Sequence, residues 1–268
     1  MGLVGVAEGD LLDIATSVAV AAAELARTAR TAALEDDVGT KSSETDVVTA
    51  ADLAVERLVR ELLARARPGE PVLGEETGGS GEPGDGVCWV VDPIDGTVNY
   101  LYGLPWYAVS LAAQVDGESV AAAVVEPASG RRWTAVRGGG AWLDGRPLRV
   151  SDARRLDLSL IGTGYAYRPE RRVRQADAVA GLLRRVRDVR RLGAASLDLC
   201  AVAAGWLDGY AEHGLNRWDW AGGALIAAEA GAVVRLPAGE GGMTFAAAPG
   251  IAEQLLVALD ETGFSEID

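Results

Sequence analysis

The apolar run Val87-Cys88-Trp89-Val90-Val91 ends on an aspartate, and the residues that follow it restrict the fold more than any other stretch. Such a run reads as a strand buried within a core. Asp92 closes it, Pro93 turns the chain, Asp95 adds a second carboxylate, and Gly96-Thr97 opens a short helix. Two acids on a strand-to-helix turn, beside backbone N–H groups that lack helical partners, have the parts to hold a divalent cation and a phosphate together.

In chain order, Leu11, Ile14, Val18, Ala22 and Leu25 recur at helical spacing and predict an amphipathic first helix. A polar loop over 35–46 follows and carries Lys41, the only lysine. Thr49-Ala50-Ala51-Asp52 fits a capping box, so Asp52 reads first as a helix cap. Val55, Leu58, Val59, Leu62 and Leu63 form the apolar face of that second helix, and Pro68-Gly69 stops it. A short strand over 71–73 then leads into Gly74-Glu75-Glu76. From 106 to 150 the period changes to two, with strands expected over 107–115, 119–125, 131–136 and 140–143; Asp116-Gly117 and Asp144-Gly145 are hairpin signals. The remainder alternates. Strands are expected over 158–162, 187–192, 207–212, 232–236 and 244–248, and helices over 169–186, 196–204, 219–230 and 251–259. Helices, then a meander, then alternating units predict a layered α/β sandwich with a mixed sheet. No linker divides the 268 residues, which are expected to form one domain with two lobes, about 1–150 and about 151–268.

Thirty-nine acids against 25 bases give a net charge of −14, which argues against nucleic-acid binding through a basic surface and against adhesion to anionic lipid. The apolar run over 14–23 includes Thr16 and Ser17 and is too short to span a membrane; cytoplasm is the expected location. Cys88 and Cys200 are distant from each other and apolar in context, so they are expected to be buried rather than bridged, and neither begins a Cys-x5-Arg loop. His213 is the only histidine, which removes His-rich zinc sites and Ser-His-Asp triads. The chemistry left to this chain is that of carboxylates, hydroxyls and a hard metal.

Three pieces share one character: Gly74-Glu75-Glu76, the segment 92–97 and Trp218-Asp219. Each sets an acid where a strand or loop gives way to a turn or helix. Singly they are a loop acid, a turn and a helix cap; jointly they match the carboxylate cluster that two neighbouring cations require.

At these residues the sequence resembles the inositol monophosphatase family. Asp92-Pro93-Ile94-Asp95-Gly96-Thr97-Val98-Asn99-Tyr100 matches its first motif, with Tyr where Phe is usual. Trp218-Asp219-Trp220-Ala221-Gly222-Gly223, followed by Glu229-Ala230-Gly231, matches its second. Lys41-Ser42-Ser43, Asp46, Gly74-Glu75-Glu76 and the segment 191–200 fall in the family's order. The resemblance implies the alternating αβαβα sandwich shared with fructose-1,6-bisphosphatase, and a Mg²⁺-dependent, lithium-sensitive phosphomonoesterase working as a homodimer. It implies two to three Mg²⁺ per subunit: Glu75, Asp92 and the Ile94 carbonyl at the first, Asp92, Asp95 and Asp219 at the second, Glu75 helping with a third. Gly96 and Thr97 would cradle the phosphate, Thr97 and Glu75 would orient a metal-bound water for in-line attack, and Asp52 would buttress Thr97. Asp95, Gly193, Ala195 and Glu212 would meet the polyol ring. Lys41 aligns with a mobile loop near the metals. Ala194 departs from the family, since relatives often carry Thr or Ser there.

A haloacid-dehalogenase phosphatase needs Asp two residues before the Asp of Asp-Gly-Thr, where this chain has Pro93. The glycine-rich stretch over 78–86 lacks the Gly-Lys-Ser/Thr ending of a nucleotide loop. The alternatives that remain are family phosphatases for histidinol phosphate, 3′-phosphoadenosine 5′-phosphate or fructose 1,6-bisphosphate and, from another class, a metal-binding regulatory partner. The expected substrate is myo-inositol 1-phosphate.

Overall fold

The computed structural model describes residues 8–33, 39–40, 47–48, 50–79, 86–239 and 241–267. Lys41, Asp46 and Thr49 lie outside them. The chain runs through α1 (Glu8–Ala33), β1 (Gly39–Thr40), β2 (Val47–Val48), α2 (Ala50–Ala66), β3 (Val72–Gly74), β4 (Val87–Asp95) and α3 (Thr97–Tyr102). The meander follows as β5 (Ala108–Val115), β6 (Glu118–Val125), β7 (Arg132–Val136), β8 (Gly140–Leu143) and β9 (Arg146–Pro147). Then come β10 (Leu160–Thr163), α4 (Pro169–Leu182), β11 (Asp188–Arg190), α5 (Ala195–Ala203), β12 (Gly209–His213), α6 (Arg217–Glu229), β13 (Val233–Arg235), β14 (Met243–Ala247) and α7 (Ala252–Glu261).

Two sheets organise the molecule. The larger has the order β3-β4-β5-β6-β7-β8-β9, with β3 parallel to β4 and every later neighbour antiparallel. Its tight turns at Asp116-Gly117 and Asp144-Gly145 place both aspartates at positive φ, as the sequence signals required. The smaller has the order β11-β10-β12-β14-β13, with β10 parallel to both its neighbours. Helices fill the spaces between. Leu11, Ala15, Val18, Ala22 and Ala26 of α1, with Val55, Val59 and Leu63 of α2, cover one face of the large sheet. Leu197 and Cys200 of α5, with Ala221, Leu225 and Ile226 of α6, cover its other face. The far sides of α5 and α6 meet Tyr210 and Ala246 of the small sheet. Ala178, Val179 and Leu182 of α4, with Leu255 and Leu259 of α7, close the small sheet's outer face. The order is helix, sheet, helix, sheet, helix: a layered α/β fold with mixed sheets, as predicted.

Strand β4 departs from expectation in a useful way. It does not stop at Asp92 but continues through Pro93 to Asp95, and all nine of its residues are buried. Asp92 pairs with Ser110 and Asp95 with Ala108, so three steps on β4 match two on β5. That is a one-residue bulge, where a proline without an N–H is tolerated. In a regular strand, residues three apart point to opposite faces. The bulge absorbs the odd step and puts both aspartates on the face shared with Ser110 and Ala108, towards α5 and α6. Other differences are at ends. The helix expected over 169–186 stops at Leu182 and continues as turns, and α6 begins before Asp219 because Asn216 and Asp219 close a reciprocal capping box around its first turn.

The middle helix layer is tight. A Cβ on Gly223 would stand 2.7 Å from the Ser196 carbonyl oxygen and 2.8 Å from Leu199 Cβ. Gly223→Ala should therefore lower stability by about 1–2 kcal/mol in urea denaturation, since overpacking outweighs the gain in helix propensity. An unchanged midpoint would show that α5 and α6 separate without loss.

Candidate active site

The carboxyl end of β4 opens into a cavity of about 1230 Å³. Glu75, Asp92, Ile94, Asp95, Gly96, Thr97, Gly193, Ala195, Glu212 and Asp219 all line it. The site residues expected from distant parts of the sequence are thus brought to one place. Asp52 does not line the cavity but lies buried behind it in the first turn of α2. Lys41 lies outside the described residues.

Asp92 is the electrostatic centre. It is 1% exposed, and its Oδ1 has no hydrogen-bond partner among the described residues. Burial pushes its carboxyl well above the usual range, and the charges of Glu75, Asp95, Asp219 and Asp52 push it further. Burial and the charges of Glu75 and Asp95 do the same to Asp219, partly opposed by the backbone N–H of Asn216, which donates to its carboxylate at 2.5 Å. Such a set strongly attracts positive charge. Its donors are all oxygen, the choice of a hard cation such as Mg²⁺ rather than zinc or copper. The residues therefore fit the metal that the resemblance implies, although no three of the described acidic, histidine or cysteine side chains form a close ligand group as placed.

Asp95 is tied to helix α5. Its carboxylate accepts from the backbone N–H groups of Ala195 (3.1 Å) and Ser196 (2.7 Å) and from the Ser196 hydroxyl. Burial raises its pKa, and these bonds pull it back. Helix α5 has no side-chain cap of its own at Ala194, so a carboxylate from β4 caps it across a hundred residues of sequence. Ser196 lies in the 191–200 segment that resembles the family, but nothing in the sequence marks it as the partner of Asp95. Ala194 is buried, and its Cβ lies 3.1 Å from where a Cβ on Gly96 would stand. Gly96 itself has φ +88, a backbone that favours glycine. Asn99 ties this corner together by donating to the carbonyls of Trp106 and Leu192, both at 2.8 Å.

The Thr97 hydroxyl donates to the carbonyl of Ile94 at 3.0 Å. Asp52, buried in the first turn of α2, adds its charge to the field at Asp92. At the opposite end, Glu212 accepts from the Tyr210 hydroxyl at 2.5 Å. Burial raises its pKa to about 7, with Tyr210 and Arg191 holding it down and Asp95 pushing it up. A Cβ on Gly164 would stand 1.9 Å from this carboxylate, so only glycine leaves room for it. His213 Nε2 lies 2.7 Å from the carbonyl oxygen of Phe264.

A residue that the sequence gave no reason to single out holds the loop carrying Glu75. Glu56 of α2 is fully buried. Its carboxylate accepts from the backbone N–H groups of Glu76 (2.7 Å) and Thr77 (3.2 Å), from the Thr77 hydroxyl, and from Arg60 Nε (2.9 Å). Arg60 in turn donates to the carbonyls of Val72 and Gly78. A Cβ on Gly74 would collide with this carboxylate at 2.5 Å, so the glycine before Glu75 is there for Glu56.

Acids gathered at the carboxyl end of β4 in a five-layer αβαβα sandwich define a phosphatase of this layered type. The sequence matches the Inositol monophosphatase family over residues 8–263, and the chain belongs to that family. It is 51% identical to Inositol-1-monophosphatase of Mycobacterium leprae over 92% of each chain. It is 43% identical to the Nus factor SuhB of Pseudomonas aeruginosa over 70% of this chain and 72% of that one. The solved structure of Mycobacterium tuberculosis SuhB superposes with a TM-score of 0.82 at 45% identity, covering 95% of this chain and 97% of that chain.

The Glu56 hub is testable. Burial alone would raise its pKa, but the bonds from Thr77, Glu76 and Arg60 prevail and hold it below 4.5. A depressed folded-state pKa adds stability that is complete above the unfolded value and is lost as pH falls through the folded one. Glu56→Gln should cost about 2–4 kcal/mol at neutral pH. The gap to the parent protein should narrow in acid, as read from denaturation midpoints across pH; a gap that stays constant would remove the charge from the explanation.

Proposed function

We propose that the chain is a Mg²⁺-dependent phosphomonoesterase that hydrolyses myo-inositol 1-phosphate and related inositol monophosphates. The observation that carries this reading is the buried oxygen of Asp92, without a hydrogen-bond partner among the described residues, amid four other acids at the end of β4. Glu75, Asp92 and the Ile94 carbonyl would hold one ion, and Asp92, Asp95 and Asp219 a second. When bound, Mg²⁺ supplies positive charge that offsets the phosphate's and makes a water more acidic.

The protein's own residues divide the rest of the work. Gly96 and Thr97 offer backbone N–H groups to the phosphate at the start of α3. The Thr97 hydroxyl directs its O–H to the Ile94 carbonyl, so it meets a water as an acceptor. With the Glu75 carboxylate it fixes that water's orientation for in-line attack. Glu212, Gly193 and Ala195 receive the polyol, and an ionised Glu212 accepts from two neighbouring ring hydroxyls. The family resemblance supports a homodimer in the cytoplasm, with light scattering as the test of its mass.

Phosphate release from inositol 1-phosphate should require Mg²⁺, stop on chelation and fall with Li⁺. Asp92→Asn should abolish it, and Thr97→Ala should lower kcat about a hundredfold with less effect on metal affinity. Turnover by Asp92→Asn at the parent rate would end the proposal. Because burial lifts the Glu212 carboxyl to about 7, KM for inositol 1-phosphate should fall as pH rises through that value. Glu212→Gln should flatten this dependence, while glycerol phosphate, which lacks the ring, should respond equally in both proteins.

A second reading draws on the Pseudomonas relative named as a Nus factor: a regulatory partner role beside catalysis. Its test is whether Asp92→Asn abolishes phosphate release yet complements a strain lacking this protein.

A further inference from the structure

Glycines alternate on one strand of the small sheet where two large polar side chains alternate on the next. Gly162 and Gly164 stand two residues apart on β10 and at its exit, and Tyr210 and Glu212 two residues apart on β12. The parallel register pairs Gly162 with Tyr210 and Thr163 with Ala211, which brings Gly164 beside Glu212. Residues two apart share one face of a sheet, and Tyr210 places this face against α5 and α6. A Cβ on Gly162 would stand 3.1 Å from the Tyr210 ring. One on Gly164 would be 1.9 Å from one oxygen of Glu212, and 2.0 Å from the other oxygen and from the carboxyl carbon. A point equally near all three atoms, at that range, lies over the face of the carboxylate. Glu212 is therefore laid flat on Gly164, and its lone pairs point sideways in the carboxylate plane, where donors are preferred.

Tyr210 holds one edge of that plane. It is fully buried and packs with Leu199 and Val202 of α5 and Ala224 of α6, so its ring is fixed. Its hydroxyl donates to Glu212 Oε2 at 2.5 Å and has no second partner among the described residues. Burial, then the charges of Glu212 and Asp198, push the phenol well above its usual range, so it keeps its proton and meets Glu212 as a donor. A phenylalanine would fill the space as well. The hydroxyl is a buried polar atom that serves Glu212 alone, which is costly unless the bond is made. Against the burial that lifts Glu212, the Tyr210 bond is the larger opposing influence, ahead of the charge of Arg191. Glu212 lines the cavity, whereas Tyr210 does not.

Resting on the phosphomonoesterase reading above, we propose that Tyr210 is a positioning residue that sets selectivity for ring polyols. By binding one edge of the carboxylate seated on Gly164, it turns the other edge to the cavity as a fixed acceptor for ring hydroxyls. A flexible alcohol can rotate to meet an acceptor in several places. A ring carries its hydroxyls at fixed angles and needs the acceptor in one place, held there by packing and a supporting hydrogen bond. Loss of the Tyr210 hydroxyl frees the Glu212 side chain and so penalises the ring compound selectively.

The test is Tyr210→Phe, which keeps the ring and removes the hydroxyl. KM for myo-inositol 1-phosphate should rise about tenfold with kcat held within about twofold. Both constants for glycerol 2-phosphate should stay within about twofold of the parent's, which also reports on folding. In a Glu212→Ala background the same change should add less than about twofold, because the hydroxyl then has no carboxylate to hold. An unchanged KM, a rise that falls equally on both compounds, or one that persists in the Glu212→Ala background would each overturn the proposal. Binding of myo-inositol itself, read by ligand-observed NMR in the presence of Mg²⁺, separates this claim from the reading beneath it. Binding that Tyr210→Phe weakens about tenfold, in a parent protein that hydrolyses neither ester, would sink the phosphatase reading and leave the positioning role standing. Equal binding by parent and variant, together with turnover of inositol 1-phosphate, would do the reverse.

Discussion

A carboxylate removed from water loses several kcal/mol of hydration unless something replaces it, and Asp92 is placed where the protein alone does not. It lies in a strand buried along its whole length, and one of its oxygens faces no donor among the described residues. Its neighbours make matters worse, since Glu75, Asp95, Asp219 and Asp52 are all acids. Tertiary packing must therefore hold like charges together against their repulsion. The extensive apolar contact of β4 with helices on both sides supplies that constraint. The stored electrostatic tension is what gives the cavity its affinity for positive charge.

Much of the remaining architecture keeps this arrangement from relaxing. The β4 bulge turns Asp92 and Asp95 to one face. Glu56 and Arg60 fasten the Glu75 loop to α2 from behind. The capping box at Asn216 fixes Asp219 at the mouth of α6. Each device belongs to a different layer, yet all act at the same end of the sheets. The glycines at 74, 164 and 223 are explained by the same crowding: they stand where a carboxylate or a neighbouring helix has taken the space of a Cβ.

The site was legible where its chemistry is written locally. An apolar run followed by Asp-Pro-Ile-Asp-Gly-Thr declares a strand, a turn and a helix within eleven residues, and Trp218-Asp219 announces another acid at a helix start. What escaped the sequence depends on contacts between distant segments. Glu56 reads as an ordinary helix acid between Val55 and Arg57 until the 74–78 turn is folded over it. Ser196 is one small residue in an alanine-rich stretch, and its partner is a hundred positions away. The proline in β4 argued for the end of a strand, because the bulge that accommodates it is a property of the pairing with β5. The arginines of α4 can be read off the sequence, but only the fold sets Arg168, Arg171 and Arg174 at the cavity wall.

Asp95 belongs to the large sheet, yet it closes the N-terminus of a helix that packs on the small one. The seam between the two halves of the molecule thus runs through a residue of the cavity itself. The cavity is complete only with both sheets in place, since Glu75, Asp92 and Asp95 come with the large sheet and Glu212 with the small. It follows that damage at Asp95 reports on two things at once. Inactivity there cannot be assigned to lost chemistry until the thermal stability of the same variant has been weighed beside it.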